Sequence, residues 1–170
     1  MVWRDSLSVN GGHFIDSKVI ERRTEFTYTV CMEAKDKQLA DFCASHEIEI
    51  LYVFGSRTGE TREWLEGSRG RFSVSGADMD IGVKTPPGKQ LPIREKSSIA
   101  VHLEDFFGVS RVDLVVLSES DPFLAANIIR GERLFCVDPH AADEYELYIL
   151  RRAGDLAPLE RERLSLLQGR

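Results

Sequence analysis

Leu51-Tyr52-Val53-Phe54-Gly55-Ser56-Arg57 is the stretch from which the fold prediction starts, because here an apolar run ends abruptly at a turn. Such a run predicts a buried strand that gives way to a helix. Gly55 lets the backbone approach a ligand closely, and a helix that begins there offers free N–H groups to an anion. Ser56 adds a hydroxyl donor and Arg57 a positive charge. Alone, this turn is weak evidence, since many strand-to-helix connections contain the same residues.

A second apolar run, which begins at Asp78, carries two carboxylates at positions i and i+2, Asp78 and Asp80. Side chains alternate along a strand, so both carboxylates are expected on one face. Two like charges on a half-buried strand are destabilising unless a cation lies between them, and oxygen ligands suit Mg²⁺. The alternative is a solvent-exposed edge strand whose two carboxylates are simply hydrated.

A third apolar run, residues 111–117, is interrupted by Asp113. Charges are rare in buried strands unless they are paired. Asp113 either caps a local turn, pairs with Arg111, or lies roughly 5 Å from the other two aspartates if the second and third strands are neighbours. In that last arrangement, three carboxylates beside a phosphate-binding turn match the needs of metal-assisted phosphoryl or nucleotidyl transfer. Mg²⁺ neutralises phosphate charge there, and a carboxylate takes the proton of the attacking hydroxyl.

The remaining patterns predict helices that alternate with strands, which indicates an α/β (α+β) domain with a small mixed central sheet flanked by helices. We expect strands at 48–54, 79–84, 111–117 and 133–137, and helices at 33–46, 57–65, 92–107, 121–130 and 141–167, the last one broken near Gly154 and Pro158. Residues 25–32 alternate as a further strand would. Because Met32 precedes the first clear helix, residues 1–31 are interpreted as an N-terminal extension and 32–170 as the main domain with C-terminal helices.

Composition excludes several classes of protein. The chain has 170 residues, a net charge of -6 and 42% hydrophobic residues. This acidic balance argues against broad nucleic-acid binding, which relies on Lys and Arg. No apolar run approaches the ~20 residues of a membrane span. The first thirty residues have no apolar signal region, and the three scattered cysteines are typical of reduced thiols, so we expect a cytoplasmic protein with no membrane contact.

Together, Gly55-Ser56, Asp78-x-Asp80 and Asp113 resemble the motif of the DNA polymerase β-like nucleotidyltransferase superfamily, above all its minimal nucleotidyltransferase (MNT) domains. The similarity covers about residues 34–150 and implies that superfamily's palm fold. It implies that Asp78 and Asp80 bind Mg²⁺ (or Mn²⁺), that Asp113 completes the metal site or acts as general base, and that all three are catalytic. Gly55 and Ser56, with Arg57 beside them, would hold the triphosphate of a nucleotide, for which the resemblance implies ATP.

One departure from the family pattern is the 57–77 segment, which separates Ser56 from Asp78 by 21 residues, a longer interval than is usual. The segment contains two aromatic residues, Trp64 and Phe72, and its arginines include Arg69 and Arg71. A tolerated surface insertion is the favoured interpretation, since longer loops cost little closure entropy. The alternative is a lid over the nucleotide, with arginines on phosphates and an aromatic ring near the base.

Small MNT proteins resembling this chain are often antitoxins of HEPN-domain toxins. The leading hypothesis is therefore transfer of AMP from ATP to a tyrosine of a HEPN toxin partner. One alternative is adenylylation of a small hydroxylated molecule such as an aminoglycoside. Another is a non-catalytic antitoxin that acts by binding alone, using the apolar surface around Tyr145, Leu147, Tyr148 and Leu150, although a wide buried helix face explains that surface better. Homo-oligomerisation is left open.

Overall fold

The computed structural model of the protein describes residues 36–73 and 78–168. These residues belong to one compact unit, Asp36–Arg170. The predicted extension at 1–31, the predicted strand at 25–32 and the boundary between residues 31 and 32 lie outside the described residues. The division into two regions therefore stays a prediction.

The described part contains a four-stranded mixed sheet, as predicted. Its strands are β1 (Ile50–Phe54), β2 (Met79–Lys84), β3 (Val112–Val116) and β4 (Glu132–Cys136). They are arranged in the order β3-β2-β1-β4, and β2 and β3 run parallel while β1 is antiparallel to both of its neighbours. All five residues of β1 are buried, which explains why its sequence is continuously apolar.

Five helices flank the sheet in the described residues. They are α1 (36–45 of the described residues), α2 (Thr58–Leu65), α3 (Ile93–Phe107), α4 (Pro122–Ile128) and α5 (Pro139–Gln168). A short 3-10 turn, Gly55–Arg57, joins β1 to α2. The predicted start of α4 is confirmed: the Asp121 carboxylate accepts hydrogen bonds from two backbone N–H groups of the first turn, and proline follows it.

The predicted break in the last helix is wrong, because α5 continues through Gly154 and Pro158. A proline inside a helix removes one hydrogen bond to the carbonyl four residues earlier, and here the helix continues despite that loss. The helix also begins earlier than predicted, since the Asp138 carboxylate accepts hydrogen bonds from the N–H groups of His140 and Ala141. In the described residues, no helix is both long and apolar enough to cross a bilayer.

Two separate cores cover the two faces of the sheet. On one face, Leu51, Val53 and the apolar residues of β2 pack against α1, α2 and α3. On the other face, Tyr52 and Phe54 pack against α4 and α5. The second face is fixed to α5 by the buried Tyr52 hydroxyl, which donates to Glu146 at 2.8 Å. This arrangement leaves the end of the sheet at which β1 ends and β2 and β3 begin for the polar residues described next.

Candidate functional site

Two of the predicted carboxylates lie side by side across the sheet. Asp80 of β2 is directly paired with Asp113 of the parallel strand β3, and on its other side with Phe54, the last residue of β1. Directly paired residues project to the same face of a sheet. The predicted adjacency of the second and third strands is therefore confirmed, and both carboxylates project to the face that α4 and α5 cover elsewhere.

The third carboxylate, Asp78, comes just before β2 and is linked to Asp113 through an arginine. The Arg111 guanidinium lies 3.4 Å from an Asp78 carboxylate oxygen and 3.1 Å from an Asp113 carboxylate oxygen. The Arg111 carbonyl also accepts a hydrogen bond from the Met79 N–H, which fixes the start of β3 against the start of β2. Pairing of Asp113 with Arg111, one of the alternatives drawn from the sequence, is thus present together with the carboxylate cluster.

The electrostatics of the cluster centre on Asp80. Burial raises the pKa of Asp80 above its ordinary value, and the negative charges of Asp113 and Asp78 raise it further. Like charges at close range oppose ionisation, so a cation near this carboxylate would be stabilising. The cluster therefore has the charge that favours binding of a metal ion or of a cationic group.

The Gly-Ser corner packs directly against Asp80. Gly55 has a φ of +74°, and a Cβ placed on it would lie 2.3 Å from an Asp80 carboxylate oxygen. Both the backbone conformation and this close approach therefore require glycine. The Gly55 carbonyl is held by the Thr58 hydroxyl, which donates to it at 2.7 Å, and Ser56 is exposed beside it. The structure thus brings the predicted corner and the predicted aspartates together.

Arg57 is placed differently from the other predicted residues. Its side chain is only 4% exposed; the guanidinium donates to the Ser73 carbonyl at 3.1 Å and lies 3.5 Å from the Glu60 carboxylate. Glu60 also accepts from the Ser73 hydroxyl, which holds the pKa of this carboxyl below its ordinary value. Arg57 thus connects the start of α2 to Ser73. Its role in nucleotide binding stays a prediction.

Both aromatic side chains of the 57–77 segment pack into the interior. Trp64 and Phe72 are 7% and 4% exposed and their rings meet those of α3, with centroids of Phe72 and Phe107 5.5 Å apart. Arg69 pairs with Glu60 and with Glu63 of α2. Buried rings cannot stack on a nucleotide base, so the part of the lid hypothesis that used these aromatics is wrong. The surface-insertion interpretation fits residues 66–71, which are exposed or half-buried, but not Trp64 and Phe72, which contribute to the core.

The described part of the chain holds no preformed cluster of metal ligands. Among its residues, no group of three or more His, Cys, Asp or Glu side chains is arranged so that it could hold a metal ion. At the predicted site the physical reason is visible, since Asp78 and Asp113 face the Arg111 guanidinium. Their donor chemistry fits Mg²⁺, whose protein ligands are mostly carboxylates, but both side chains would have to turn away from Arg111 to reach one ion.

Two residues contact the predicted site residues in ways that were not predicted from the sequence. Glu60 anchors Arg57, Arg69 and Ser73, yet in the sequence it is one of several acidic residues on an amphipathic helix. The sequence indicates Arg111 only as a partner of Asp113, whereas in the structure it also contacts Asp78. The available signal was its position two residues before Asp113, because alternation along a strand puts both side chains on one face.

Comparison with known proteins agrees with this fold. Among curated proteins, none matches the chain significantly. The chain resembles a toxin–antitoxin MntA–HpeT mutant (18% identity, 79% of this chain and 96% of that one, TM-score 0.55). It also resembles a Shewanella oneidensis complex of a tri-AMPylated HEPN toxin with its MNT antitoxin (17% identity, 81% and 97%, TM-score 0.53). A third similar structure is a toxin–antitoxin with AMP-PNP (19% identity, 79% and 96%, TM-score 0.54).

Such low identities establish a shared fold. The family assignment comes from the sequence profile described as Polymerase beta, Nucleotidyltransferase, which matches residues 37–140. That range covers more than half of the 170 residues and contains the Gly-Ser corner and all three aspartates. The chain therefore belongs to the polymerase β nucleotidyltransferase family.

Proposed function

We propose that this protein is a Mg²⁺-dependent adenylyltransferase that moves AMP from ATP to a tyrosine hydroxyl of a HEPN-type toxin and thereby acts as its antitoxin. The observation that carries the proposal is the contact between Gly55 and Asp80, with Asp113 directly beside them. It joins a corner suited to phosphate to a carboxylate cluster suited to a cation. Family membership supports the nucleotidyl-transfer chemistry, and the similar toxin–antitoxin complexes support the choice of partner.

A divalent cation would be held by Asp78, Asp80 and Asp113. When bound, it would neutralise phosphate charge and stabilise the charge that develops in the transition state. Burial and the charges of Asp113 and Asp78 raise the pKa of Asp80, which supports this assignment because a nearby cation would favour the ionised carboxylate. Arg111 would release the carboxylates of Asp78 and Asp113 when the cation binds.

The triphosphate would lie on the Gly55–Ser56 corner. Backbone N–H groups at the start of a helical segment point toward a bound anion, and the exposed Ser56 hydroxyl adds a donor. The lack of a side chain on Gly55 would let the phosphates approach the backbone next to Asp80. The corner would thus set the orientation of the α-phosphate relative to the carboxylates.

In the transfer step, the tyrosine oxygen attacks the α-phosphorus of ATP. An O–P bond to the tyrosine forms, the bond from the α-phosphorus to the bridging oxygen breaks, and pyrophosphate leaves. The phenolic proton passes to a carboxylate of the cluster, for which Asp113 is the assigned base. The products are an AMP-tyrosine phosphodiester and pyrophosphate.

The test is an incubation of the purified chain with ATP, Mg²⁺ and the protein encoded by the adjacent gene, followed by intact-mass measurement of that protein. The proposal expects a mass gain of one or more AMP groups, lost in the Asp78→Ala/Asp80→Ala variant. Asp105→Ala, which removes an exposed carboxylate from α3, is the matched control and should keep full transfer. No mass gain with the unaltered chain would refute the proposed acceptor.

Toxin neutralisation separates this proposal from binding alone. A contact-only antitoxin would still neutralise after Asp78→Ala/Asp80→Ala, whereas a transferase antitoxin would fail. Neutralisation by the variant at the level of the unaltered chain would therefore reject catalysis as the basis of antitoxin action.

A further inference from the structure

The second half of α5 extends beyond the core that holds its first half. The buried residues of this helix, Ala142, Ile149 and Ala153, all precede Gly154. Every residue from 161 to 167 is exposed. The prediction that the apolar residues of this helix form a wide buried face is wrong, since Leu147 and Tyr148 are each 51% exposed.

An unsupported helical end of this kind is costly. Isolated helices shorter than about 12 residues are marginal in water. Pro158 weakens this one further, because it cannot donate a hydrogen bond to the Gly154 carbonyl. The segment also exposes large apolar side chains, Leu159 at 62%, Leu164 at 43% and Leu166 at 69%. Apolar side chains gathered on one exposed element are typical of an interaction surface.

Exposed residues of α5 form one continuous stripe with the spacing of a coiled-coil seam. Their positions advance alternately by four and three residues, which keeps them on one side of a helix. The stripe, here called the α5 seam, consists of Tyr148, Arg152, Asp155, Leu159, Glu162 and Leu166. All six are exposed. Leu164 and Arg161 lie on other sides of the same helix.

We propose that two copies of this chain pair through the α5 seam as antiparallel helices, with the two-fold axis at the level of Ala157. In this register, Tyr148 opposes Leu166 of the second copy, and Asp155 opposes Leu159 of the second copy. Because the axis is two-fold, each contact occurs twice. The seam residues alternate between the a and d positions of a heptad. In this register each a position faces a d position of the second copy, as antiparallel pairing requires.

Charge is what selects the second copy as the occupant of the seam, and antiparallel as its direction. Arg152 opposes Glu162 of the second copy in this register, and the two-fold axis repeats the contact, so that two ion pairs form. A parallel pair would place Arg152 against Arg152 and Glu162 against Glu162, and like charges at such positions are destabilising. The seam is therefore complementary to itself in only one of the two directions.

Shape supports the same register. A shallow cavity of about 510 Å³ on α5 is lined by Tyr148, Arg151, Arg152, Asp155 and Leu156. In the proposed pair this cavity faces residues 158–166 of the second copy, so Leu159 and Leu166 would enter it. The contact covers about 27 Å of helix, since the 18 steps from residue 148 to 166 each rise 1.5 Å. Such an interface is smaller than the standard size, and its dissociation constant is expected to lie roughly between micromolar and millimolar.

Sedimentation of the full chain from about 1 µM to about 1 mM, which brackets that affinity, tests the pairing. A concentration-dependent monomer–dimer equilibrium is expected. Leu159→Asp should abolish the dimer, whereas the matched control Leu164→Asp should retain it, with circular dichroism showing that both variants are folded. A chain that stays monomeric throughout overturns the proposal, as does an equal effect of the two leucine variants.

Charge reversal tests the register. Arg152→Glu and Glu162→Arg each place like charges opposite one another twice, so each should weaken dimerisation by roughly tenfold or more. The double variant exchanges the two charges and should restore the dimer, and Arg161→Glu, outside the seam, should leave it unchanged. Failure of the double variant to restore dimerisation overturns the antiparallel register.

The other occupant of the seam would be the protein encoded by the adjacent gene. If the chain alone is monomeric and Leu159→Asp instead abolishes its binding to that protein, the seam belongs to the hetero-complex and self-pairing is wrong. Loss of AMP transfer without loss of the dimer would refute only the proposed function, so the two proposals fail separately.

Discussion

Replacing Gly55 with alanine should destabilise the domain more than the same replacement at Gly88. Both glycines have positive φ, +74° and +83°, so both substitutions carry the left-handed backbone cost of about 1–2 kcal/mol. At Gly88 a Cβ meets nothing within 4 Å, whereas at Gly55 it lies 2.3 Å from an Asp80 carboxylate oxygen. The Asp80 side chain must therefore leave its position only in the Gly55 variant.

The size of the additional loss follows from that displacement. Moving a side chain off its preferred rotamer costs roughly 0.5–1.5 kcal/mol. Gly55→Ala should thus lose about 1.5–3.5 kcal/mol in total, and for a domain of this size each kcal/mol lowers Tm by about 2–4 °C. Thermal and urea unfolding followed by circular dichroism measure the difference between the two variants.

A double variant identifies the cause of the additional loss. Asp80→Ala removes the carboxylate that the new methyl group meets. In the Asp80→Ala background, Gly55→Ala should therefore lower the free energy of unfolding by no more than Gly88→Ala lowers that of the unaltered chain. Equal stabilities of the Gly55→Ala and Gly88→Ala single variants would refute the packing of the Gly-Ser corner against Asp80.

Three further predictions follow from the electrostatics and the contacts. Asp80→Asn should stabilise the domain in EDTA by roughly 0.2–1 kcal/mol at neutral pH, since a raised folded-state pKa means that ionised Asp80 disfavours the native state; unchanged or lower urea stability would contradict this. Burial lowers the pKa of His46 below 6.5, so the free energy of unfolding should fall as pH drops through about 6.5, and His46→Gln, but not the exposed His140→Gln, should reduce that slope. Tyr52→Phe should cost about 1–3 kcal/mol in urea unfolding because it removes the buried hydrogen bond to Glu146, and a neutral effect would show that this bond does not hold α5 to the sheet.

Much of the fold could be predicted because its signals are local. The continuous apolar character of β1 reflects burial on both faces, and the sequence Asp121-Pro122 marks a helix start through capping and a fixed φ. The break predicted near Pro158 failed because proline penalises a helix without forbidding it. Local propensity shows that a residue disfavours a helix. Whether the helix ends at that residue is decided by the rest of the helix.

Sequence alone determined that Asp78 and Asp80 share a face and that Gly55 ends a buried strand, because alternation and turn chemistry depend on neighbouring residues only. Tertiary structure decided that Asp80 meets Asp113, that Arg57 turns inward to the Ser73 carbonyl, and that the second half of α5 stays uncovered. Each of these outcomes depends on which surfaces meet when the chain closes. Such contacts join residues far apart in sequence, and no local pattern encodes them.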